Sequence, residues 1–322
     1  MTDHTCVLVS VIIVTYNSAS TIIECLDAVA EELSGVSHEI LLVDNASVDS
    51  TIAHIAICKH DVRLIRSMSN QGFSRANNVA LEQASGEFVL FLNPDTIISQ
   101  GCVRVLIDWL NKAPNYVAAG PRMVTSAGTP SRACARRLPT VPNLTWQLLF
   151  LERFFPRSPV FARRYYQPWD LDTDRDVECV SGAAVMVRNS ALKVVGNFDE
   201  EVPLFLDDMD LCKRLGTHGR IRYLAGARVL HVQNVSGQSV PQSLIRQLSL
   251  QANYVYLRKH GFRLSERAFS VLVGVSALLG EMAAAVCGWT GRRDVAARLR
   301  ERASVYLTWA VSKKDKRLSL PT

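Results

Sequence analysis

Residues 9–18 read Val-Ser-Val-Ile-Ile-Val-Thr-Tyr-Asn-Ser, and this stretch decides the fold class. Its first six residues form a short, mostly β-branched run, and four residues with polar groups follow. Such a run is typical of a strand that is buried on both faces of a parallel sheet and ends in a loop. The stretch therefore predicts a buried parallel strand with a polar loop directly after it.

Apolar runs alternate with helix-like stretches from this strand to about residue 111. Thr21 and Glu24 fit a capping box at the start of the first helix. The alternation predicts right-handed crossovers and an α/β fold, with a Rossmann-like, mainly parallel sheet flanked by helices. The other predicted strands are residues 40–43, 62–65 and 88–92, and the predicted helices are residues 21–33, 74–84 and 101–111, with another starting within 47–51.

Polar clusters follow all four predicted strands. In a doubly wound sheet, ligands bind outside the carboxyl ends of the strands. Because these clusters fall at that edge, the sequence predicts a binding site there. The clusters are Tyr16-Asn17, Asp44-Asn45, residues 70–73 and residues 93–95.

Three residues near that edge have more than one interpretation. Asp44 either accepts hydrogen bonds from a base or ribose or caps the helix that follows. Pro94 fixes its own φ and restricts Asn93, so Asp95 is held in one place. Its carboxylate is either a ligand of a divalent cation that also contacts a diphosphate or a turn residue. His231 follows an apolar run and, by itself, is more typical of a core or edge histidine than of a ligand.

The acidic segment at residues 205–214 reads Phe-Leu-Asp-Asp-Met-Asp-Leu-Cys-Lys-Arg. Asp207, Asp208 and Asp210 open a predicted helix, where free N–H groups favour negative charge. Helical spacing places Asp207 and Asp210 on one face. The segment is either a capped, solvated helix start or a set of carboxylates at the rim of a core, suited to general-base chemistry.

The remaining segments differ in character. Residues 127–176 are irregular and predict a long loop with short helices. The chain is predicted to be helical from about Pro241 onward. Strand-like patterns occur at residues 178–187, 221–224 and 228–232.

Composition restricts the class of protein. The 322 residues suit one large domain or two small ones. The net charge is +6, and basic residues concentrate from Arg258 onward, including residues 313–317. This distribution suits binding to a membrane leaflet or to nucleic acid.

The eight cysteines form no CxxC pair and no zinc-type cluster, so a reducing cytosol is predicted. Residues 1–5 predict no secretory signal, which makes the glycosylation triplets at Asn45, Asn143 and Asn234 chance matches.

Several common motifs are absent from the sequence. No G-x-G-x-x-G follows the first strand, which disfavours dinucleotide binding, and no P-loop motif occurs. No G-x-S-x-G elbow occurs either. What remains is a nucleotide-type site lined by carboxylates and amides.

Six ordered motifs resemble the glycosyltransferase family 2 enzymes with a GT-A fold, and within them the bacterial rhamnosyltransferase-like branch. The similarity covers roughly residues 8–235. The motifs are residues 9–18 (VSVIIVTYNS), 42–51 (LVDNASVDST), 70–78 (NQGFSRANN), 91–96 (FLNPDT), 180–187 (VSGAAVMV) and 198–215.

The resemblance implies a role for each motif. Asp208 matches the general base, Asp207 the acid before it, and Asp210 supports them. Asp95 stands at the DxD-type metal position and His231 near the metal or the diphosphate, which implies Mg²⁺ or Mn²⁺. The residues implied to line the nucleotide-sugar pocket are Thr15, Tyr16, Asn17, Asp44, Asn45, Gly72, Asn77 and Asn93.

Two positions depart from the family pattern. Asn93 occupies the first position of the DxD motif, so the metal has one carboxylate fewer. Asp207 replaces a glutamate and is one methylene shorter.

The resemblance implies an inverting glycosyltransferase of cell-envelope glycan synthesis. Its donor is a nucleotide-diphosphate sugar, dTDP-rhamnose or a UDP-sugar, with rhamnose expected first. Its acceptor is a hydroxyl of a lipid-linked saccharide or a polysaccharide. Residues 1–238 are predicted to form the catalytic domain, with the nucleotide-sugar half at 1–120 and the acceptor half at 121–238, and residues 239–322 the helical C-terminal region.

The C-terminal region is predicted to associate with the membrane. Residues 268–280 are uncharged, Glu281 interrupts them, and residues 282–291 are again uncharged. Since a spanning helix needs about 20 apolar residues, the first run is too short. We expect helices, or a partly embedded hairpin, at the cytoplasmic leaflet, which makes the protein peripheral on the inner face of the plasma membrane. The alternative is an ordinary buried helix.

Three other functions are alternatives to the transferase. A non-catalytic sugar- or lipid-binding protein on a degenerate transferase fold is the main alternative, and the intact acids argue against it. Nucleic-acid binding is disfavoured because the basic tail has no recognition motif and few aromatic residues. A sugar nucleotidyltransferase would carry a Gly-rich basic loop after the first strand, which residues 15–20 lack.

Overall fold

The computed structural model describes residues 7–202, 205–232, 241–261 and 266–311. The strands of these residues are β1 Val9–Thr15, β2 His38–Asp44, β3 Arg63–Arg66, β4 Phe88–Leu92, β5 Thr96–Ile98, β6 Tyr116–Val124, β7 Ala135–Arg136, β8 Arg175–Val177, β9 Cys179–Val180, β10 Ala184–Arg188 and β11 Arg220–His231. The helices are α1 Ile22–Glu32, α2 Thr51–Ile57, α3 Phe73–Leu81, α4 Cys102–Lys112, α5 Val141–Leu148, α6 Leu151–Phe154, α7 Asn189–Val195, α8 Asp207–Leu215, α9 Gln242–Lys259, α10 Glu266–Trp289 and α11 Arg293–Val311.

One mixed sheet of nine strands organises the fold. Its strand order is β3-β2-β1-β4-β10-β6-β11-β5, and β8 pairs with β11 beside this path. The strands β3, β2, β1 and β4 run parallel to one another, whereas β10 is antiparallel to both β4 and β6. The predicted α/β fold with a mainly parallel sheet and flanking helices is therefore confirmed.

The core lies on both faces of the parallel strands. The side chains of Val9, Val11, Ile12 and Ile13 in β1 are all fully buried, as the sequence pattern predicts for a two-faced strand. Phe198 packs edge-to-face against Phe91 of β4, with ring centroids 5.0 Å apart. The seven cysteines of the described residues are free, and five of them are buried.

Several sequence predictions of local structure were wrong. The Thr21 side chain makes no capping hydrogen bond, and its hydroxyl instead donates to the carbonyl of Ser18 at 3.4 Å. The two strands predicted at 221–224 and 228–232 are a single strand, β11, whose register against β6 shifts between Leu224 and Arg228. Strands β5 and β6 and helix α7 were not predicted.

The predicted division into a nucleotide-sugar half and an acceptor half is not visible as a break in the sheet. β6 runs through residue 120, and the nine-stranded sheet takes strands from both sides of that residue. The halves thus stay a prediction about function. The boundary at 238, the triplet at Asn234 and the basic residues 313–317 lie outside the described residues.

Helix α10 bears on the predicted membrane association of the C-terminal region. The helix continues through Glu281 without interruption, and within Arg267–Trp289, a segment of 23 residues, the most apolar part has a mean hydropathy of 1.9. By length and composition this segment could cross a membrane, whereas residues 268–280 alone are too short. Only 28 % of its most apolar part is buried, which disfavours the alternative of an ordinary core helix.

We predict that Gly120→Ala destabilises the fold. A Cβ at Gly120 in β6 would lie 2.6 Å from the Cβ of Val180 in β9, so the two elements would have to separate. We expect the free energy of unfolding to fall by about 1–3 kcal/mol, the usual cost of overpacking. Urea denaturation measures this.

Two further variants control that experiment. Val180→Ala in the Gly120→Ala background should recover part of the loss, because it removes the clashing methyl groups. Gly226→Ala is the matched control, since a Cβ there meets nothing within 4 Å. Equal losses in Gly120→Ala and Gly226→Ala would contradict the steric explanation.

Candidate active site

The carboxyl ends of three neighbouring strands form the predicted binding edge. Thr15 and Asp44 are paired neighbours at the ends of β1 and β2. β4 lies on the other side of β1, with Leu92 opposite Ile13, so Asn93 follows at the same edge. The structure thus brings together the polar clusters that follow β1, β2 and β4.

The loops after β1 and β2 are joined by hydrogen bonds. The Asn17 Oδ1 accepts from the Val48 N–H at 2.8 Å, and the Asn17 N–H donates to the Ser47 Oγ at 2.9 Å. Both carboxylate oxygens of Asp44 accept from the Ser47 N–H at 3.3 Å. Asp44 therefore stabilises a turn rather than the first turn of α2, which begins later at Thr51.

Thr15 and Tyr16 lie next to each other at the end of β1. The Thr15 side chain is fully buried, and its hydroxyl makes no hydrogen bond within the described part of the chain. Tyr16 is half-buried beside it. Both agree with the predicted nucleotide pocket, and their contact with a nucleotide stays a prediction.

Asn45 holds the loop that precedes α3. Its Nδ2 donates to the Asn70 Oδ1 at 2.8 Å and to the Gly72 carbonyl at 3.3 Å, and its Oδ1 accepts from the Gln71 N–H at 2.8 Å. Gly72 has a φ of 81°, a conformation that favours glycine. Both the Nδ2 and the Oδ1 of Asn45 are hydrogen-bonded to this loop, so Asn45 holds the loop in position. Contacts of Asn45 and Gly72 with a nucleotide stay predictions.

Asn77 and Asn78 are neighbours on α3 with different partners. Asn77 is buried, and its Nδ2 donates to the Phe73 carbonyl of the same helix at 2.9 Å. The Asn78 amide exchanges two hydrogen bonds of 2.9 Å with the backbone of Phe198. Asn78, which the sequence analysis did not single out, therefore ties α3 to the loop after α7, while the role of Asn77 stays a prediction.

Asp95 and His231 meet because β5 pairs with β11. His231 lies opposite Thr96 in this antiparallel pair, and the Asp95 Oδ1 lies 3.2 Å from the His231 Nε2. The angle of this approach is not that of a hydrogen bond, and both ring nitrogens are buried with no such bond to any described residue. The histidine is therefore not the satisfied core residue that its sequence context favoured.

These two side chains fit a divalent cation that a diphosphate also holds. The described residues contain no group of three or more His, Cys, Asp or Glu side chains able to bind a metal. Mg²⁺ commonly binds through one or two carboxylates and completes its shell with substrate phosphates and water. Carboxylates suit Mg²⁺ and Mn²⁺ better than imidazole does, so Asp95 would be the main ligand and His231 its neighbour.

Asp208 lies in the first turn of α8 and is held by one oxygen. Its Oδ2 accepts from the Arg136 Nη2 at 2.7 Å and from the Gly182 N–H at 3.1 Å. A Cβ at Gly182 would lie 3.2 Å from the Asp208 Cβ, so glycine permits this close approach. The Oδ1 is buried and has no partner among the described residues. The carboxylate is thus fixed in orientation with one oxygen free to accept a proton.

Asp207, the residue before Asp208, has a raised pKa. Its side chain is buried, and burial, followed by the charge of Asp208, raises its pKa to about 7. A carboxyl with that pKa is protonated in a large fraction of molecules near neutral pH. Near neutral pH, Asp207 therefore carries less negative charge than an exposed aspartate does.

Asp210 is fully buried and joins α8 to α9. Its Oδ2 accepts from the Arg214 Nε at 2.9 Å, while its Oδ1 lies 2.7 Å from the Lys259 Nζ and 2.9 Å from the His260 Nε2. Burial alone would raise the pKa of Asp210, but hydrogen bonds from Lys259 and Arg214 hold it below its ordinary value. Asp210 thus supports the acidic helix by ion pairs rather than by facing the site.

Sequence reasoning missed Arg136, Lys259 and His260. Arg136 is one of two adjacent arginines in an irregular segment that contains several more, and its partner Asp208 is 72 residues away. Lys259 and His260 lie at the end of α9, about 50 residues after the acids that they contact. No local pattern pairs such residues, so the sequence offers no signal for these contacts.

Comparisons with known proteins agree with this fold and show the family of the chain. The family described as "Glycosyl transferase family 2" matches residues 10–194. A solved structure of TarS from S. aureus is similar over 94 % of this chain and 55 % of that one, with a TM-score of 0.50 and 18 % identity. At that identity the likeness concerns the fold alone.

Relatives of similar sequence are named as enzymes of glycan synthesis. The chain is 32 % identical over 206 residues to the N-acetylglucosaminyl-diphospho-decaprenol L-rhamnosyltransferase of Mycobacterium tuberculosis (strain CDC 1551 / Oshkosh), covering 60 % of this chain and 66 % of that protein. It is 27 % identical to the succinoglycan biosynthesis protein ExoO of Rhizobium meliloti (strain 1021), over 82 % of this chain and 76 % of ExoO. It is 23 % identical to the rhamnosyltransferase WbbL of Escherichia coli (strain K12), over 68 % of this chain and 82 % of WbbL.

A mixed, mainly parallel sheet with polar loops at its carboxyl edge and an acidic helix beside them defines a GT-A-like transferase fold. The chain belongs to glycosyl transferase family 2, whose model covers more than half of its length. The resemblance stated from the six motifs is thereby confirmed at the level of the family.

We predict that Asp207→Asn changes how stability depends on pH. In the folded protein Asp207 keeps its proton up to about pH 7, whereas in the unfolded chain it loses the proton near its ordinary pKa of 3.8. Because the folded state binds more protons between these two values, the free energy of unfolding falls as the pH rises through that range. The variant lacks this titration. Relative to wild type, the free energy of unfolding of the variant should therefore be roughly 2–3 kcal/mol larger at pH 8 than at pH 5, which means that the variant gains relative stability.

Urea denaturation of both proteins at the two pH values tests this prediction. Asp61→Asn, at an exposed carboxylate, controls for the general effect of removing one charge. Parallel stability profiles of Asp207→Asn and wild type would show that Asp207 is not protonated in the folded protein.

Proposed function

We propose that this protein is an inverting glycosyltransferase that moves rhamnose, or another sugar, from a nucleotide-diphosphate donor to a hydroxyl of a lipid-linked saccharide. The observation that carries this proposal is the Asp208 carboxylate, with Oδ2 fixed by Arg136 and Gly182 and Oδ1 without a partner in the described structure. A base needs this combination of fixed orientation and one free lone pair.

The proposed reaction uses Asp208 as the general base. The Asp208 Oδ1 takes the proton of the acceptor hydroxyl while the acceptor oxygen forms a bond to the anomeric carbon. The bond from that carbon to the diphosphate breaks on the opposite face, so the configuration inverts and the nucleotide diphosphate leaves. The transition state resembles an oxocarbenium ion, as in glycoside hydrolysis. Because the Oδ1 is buried, the acceptor must displace what covers it.

The donor half of the proposal rests on the edge of the sheet and on two relatives. Thr15, Tyr16, Asn17 and Asp44 surround the ends of β1 and β2, where nucleotides bind in such sheets. The M. tuberculosis and E. coli relatives are both named rhamnosyltransferases, which favours rhamnose over other sugars. A dTDP-linked or UDP-linked sugar is the proposed donor.

A divalent cation is part of the proposal. Enzymes of the family commonly use one, and Asp95, with His231 beside it, is the place that fits it here. Bound there, Mg²⁺ or Mn²⁺ would neutralise negative charge on the diphosphate. Asn93, which precedes Pro94, supplies an amide in place of a second carboxylate.

The acceptor half of the proposal rests on α10 and on the named substrate of one relative. The M. tuberculosis enzyme is named for a decaprenol-linked acceptor. Exposed apolar side chains of α10 recur every three or four residues and form one stripe, which would contact lipid at the cytoplasmic face of the membrane. Glu281 is exposed and about 100° around the helix from Met282, so it flanks the stripe. The stripe consists of Val271, Val275, Leu278, Met282, Val286 and Trp289.

We predict that Asp208→Asn loses turnover and keeps donor binding. Removal of a general base costs about 10²–10⁴-fold in rate, whereas the donor site at the sheet edge remains intact. Turnover is measured as transfer of rhamnose from dTDP-rhamnose to a synthetic polyprenyl-diphosphate saccharide. A panel of UDP-sugars is tested as alternative donors in the same assay. The anomeric configuration of the product, read by NMR, tests inversion.

A conservative variant at Asp199, which faces Lys259 rather than the site, controls that assay. Near-normal turnover of Asp208→Asn would refute its role as the base. A product with retained configuration would refute the proposed single displacement.

We predict that Asp95→Ala removes the effect of divalent cations on donor binding. A ligand present at about 100 times its Kd adds roughly 2.7 kcal/mol of stability, so the donor should raise the Tm of wild type and Mn²⁺ or Mg²⁺ should increase that rise. In Asp95→Ala the increment due to the cation should disappear. Asp61→Ala is the matched control, and an undiminished cation effect in Asp95→Ala would contradict the assignment.

A further inference from the structure

A cavity of about 520 Å³ lies away from the sheet edge, between the C-terminal helices and the segment around α5 and α6. It is lined on three sides by basic side chains: Arg153 from α6, Arg246 from α9, and Arg298 and Arg302 from α11. The rest of its wall combines the polar groups of Gln147 and Ser249 with Ile245, Val295, Leu299 and Tyr306. Neither the sequence motifs nor the proposed reaction accounts for it.

Arg302 is held in place by two aromatic rings. Its guanidinium carbon lies 4.3 Å from the centre of the Phe150 ring and 4.9 Å from that of the Tyr306 ring. Its Nε is buried and has no hydrogen-bond partner in the described structure. An arginine fixed in this way has already lost its rotamer freedom, so less entropy is lost when it binds an anion.

The basic charge of the cavity is only partly balanced. Arg246 pairs with the Glu301 carboxylate at 3.1 Å, and Glu152 interacts with Arg302 and Arg164. Burial raises the pKa of Glu152, although Arg164 and Arg302 oppose that shift. The described residues that line the cavity include four arginines and no carboxylate, so an excess of positive charge remains for an anion.

Exposed apolar side chains adjoin the cavity at Arg153 of α6. Arg153 is followed by Phe154 and Phe155, which are both exposed. Basic groups in a cavity next to exposed apolar side chains match the two parts of a lipid, a phosphate-bearing head and an apolar chain.

We propose that this cavity binds the phosphate or diphosphate head group of a membrane lipid. Arginine suits this ligand because its planar fork of donors matches phosphate oxygens in two simultaneous hydrogen bonds. The head group belongs either to an anionic phospholipid or to a lipid diphosphate such as a polyprenyl-linked acceptor. This inference goes beyond the proposed transfer reaction and does not depend on the role of Asp208.

Two binding assays on the full chain distinguish these sources. Calorimetric titration with inorganic pyrophosphate, in EDTA to suppress cation-dependent binding at Asp95, reports a diphosphate in solution. Cosedimentation with phosphatidylcholine vesicles, with and without phosphatidylglycerol, reports a phospholipid head group. Binding of pyrophosphate identifies the lipid diphosphate, and binding only to vesicles that contain phosphatidylglycerol identifies the phospholipid.

Variants on α11 show whether the cavity is responsible. Arg298→Gln removes a side chain that lines the cavity, whereas Arg300→Gln removes the same charge from an exposed position on the same helix outside it. We expect Arg298→Gln and Arg302→Gln to weaken the observed binding about tenfold or more, which corresponds to one lost charge-assisted hydrogen bond, and Arg300→Gln to leave it nearly unchanged.

Equal losses in Arg298→Gln and Arg300→Gln would overturn the proposal, because they would show general surface charge rather than a site. Absence of binding in both assays would also overturn it. Asp208→Asn should bind like wild type, so a failure of the catalytic assignment does not affect this result. Because Arg302 packs between two aromatic rings, weaker binding by Arg302→Gln supports the proposal only if the Tm of the variant equals that of wild type. Arg298 is exposed, so Arg298→Gln should fold normally and tests the proposal by itself.

Discussion

The Asp208 carboxylate joins three segments that are far apart in sequence, and the geometry of the site depends on this junction. Its Oδ2 accepts from Arg136 at the end of β7 and from the Gly182 N–H between β9 and β10, while its backbone opens α8. β10 lies next to β4 in the central sheet, so this junction sets the acidic helix against the sheet that carries the donor edge. A larger residue at 182 would push the helix and its carboxylates away together.

Three acids within one helical turn would repel one another if all were charged and buried alike. The helix N-terminus favours each of them by only about 0.3–1 kcal/mol, which is too little to offset burial. The fold resolves this with three separate arrangements. Asp207 takes up a proton near neutral pH, Asp208 pairs with Arg136, and Asp210 pairs with Arg214 and Lys259. The Asp208 Oδ1 is buried and has no hydrogen-bond partner in the described structure, so the acid proposed as the base keeps one oxygen available.

The sequence predicted the parts of this structure that depend on local pattern. The strands β1, β2 and β4 and the polar loops after them follow from β-branched runs and turn residues, and the acidic start of α8 follows from helix electrostatics. Contacts between distant segments left no local signal. Arg136 could not be matched to Asp208, nor could Lys259 to Asp210, and β11 was divided in two because Gly226 interrupts its pattern at the register shift. The resemblance implied that Asp95 and His231 lie near one metal, and in the structure they meet because β5, a strand of three residues that was not predicted, pairs with β11.

Helix α9 connects the acidic helix α8 with the cavity lined by arginines. Its C-terminal end provides Lys259, which contacts Asp210 on the acidic helix, and its first half provides Arg246 and Ser249, which line the arginine cavity. Thirteen residues separate Arg246 from Lys259, or about 20 Å along the helix axis. A straight helix of that length is stiff, so a head group held at one end would fix the position of the other end relative to α8. If both proposals hold, lipid binding and the orientation of the carboxylates of α8 are linked through this one helix.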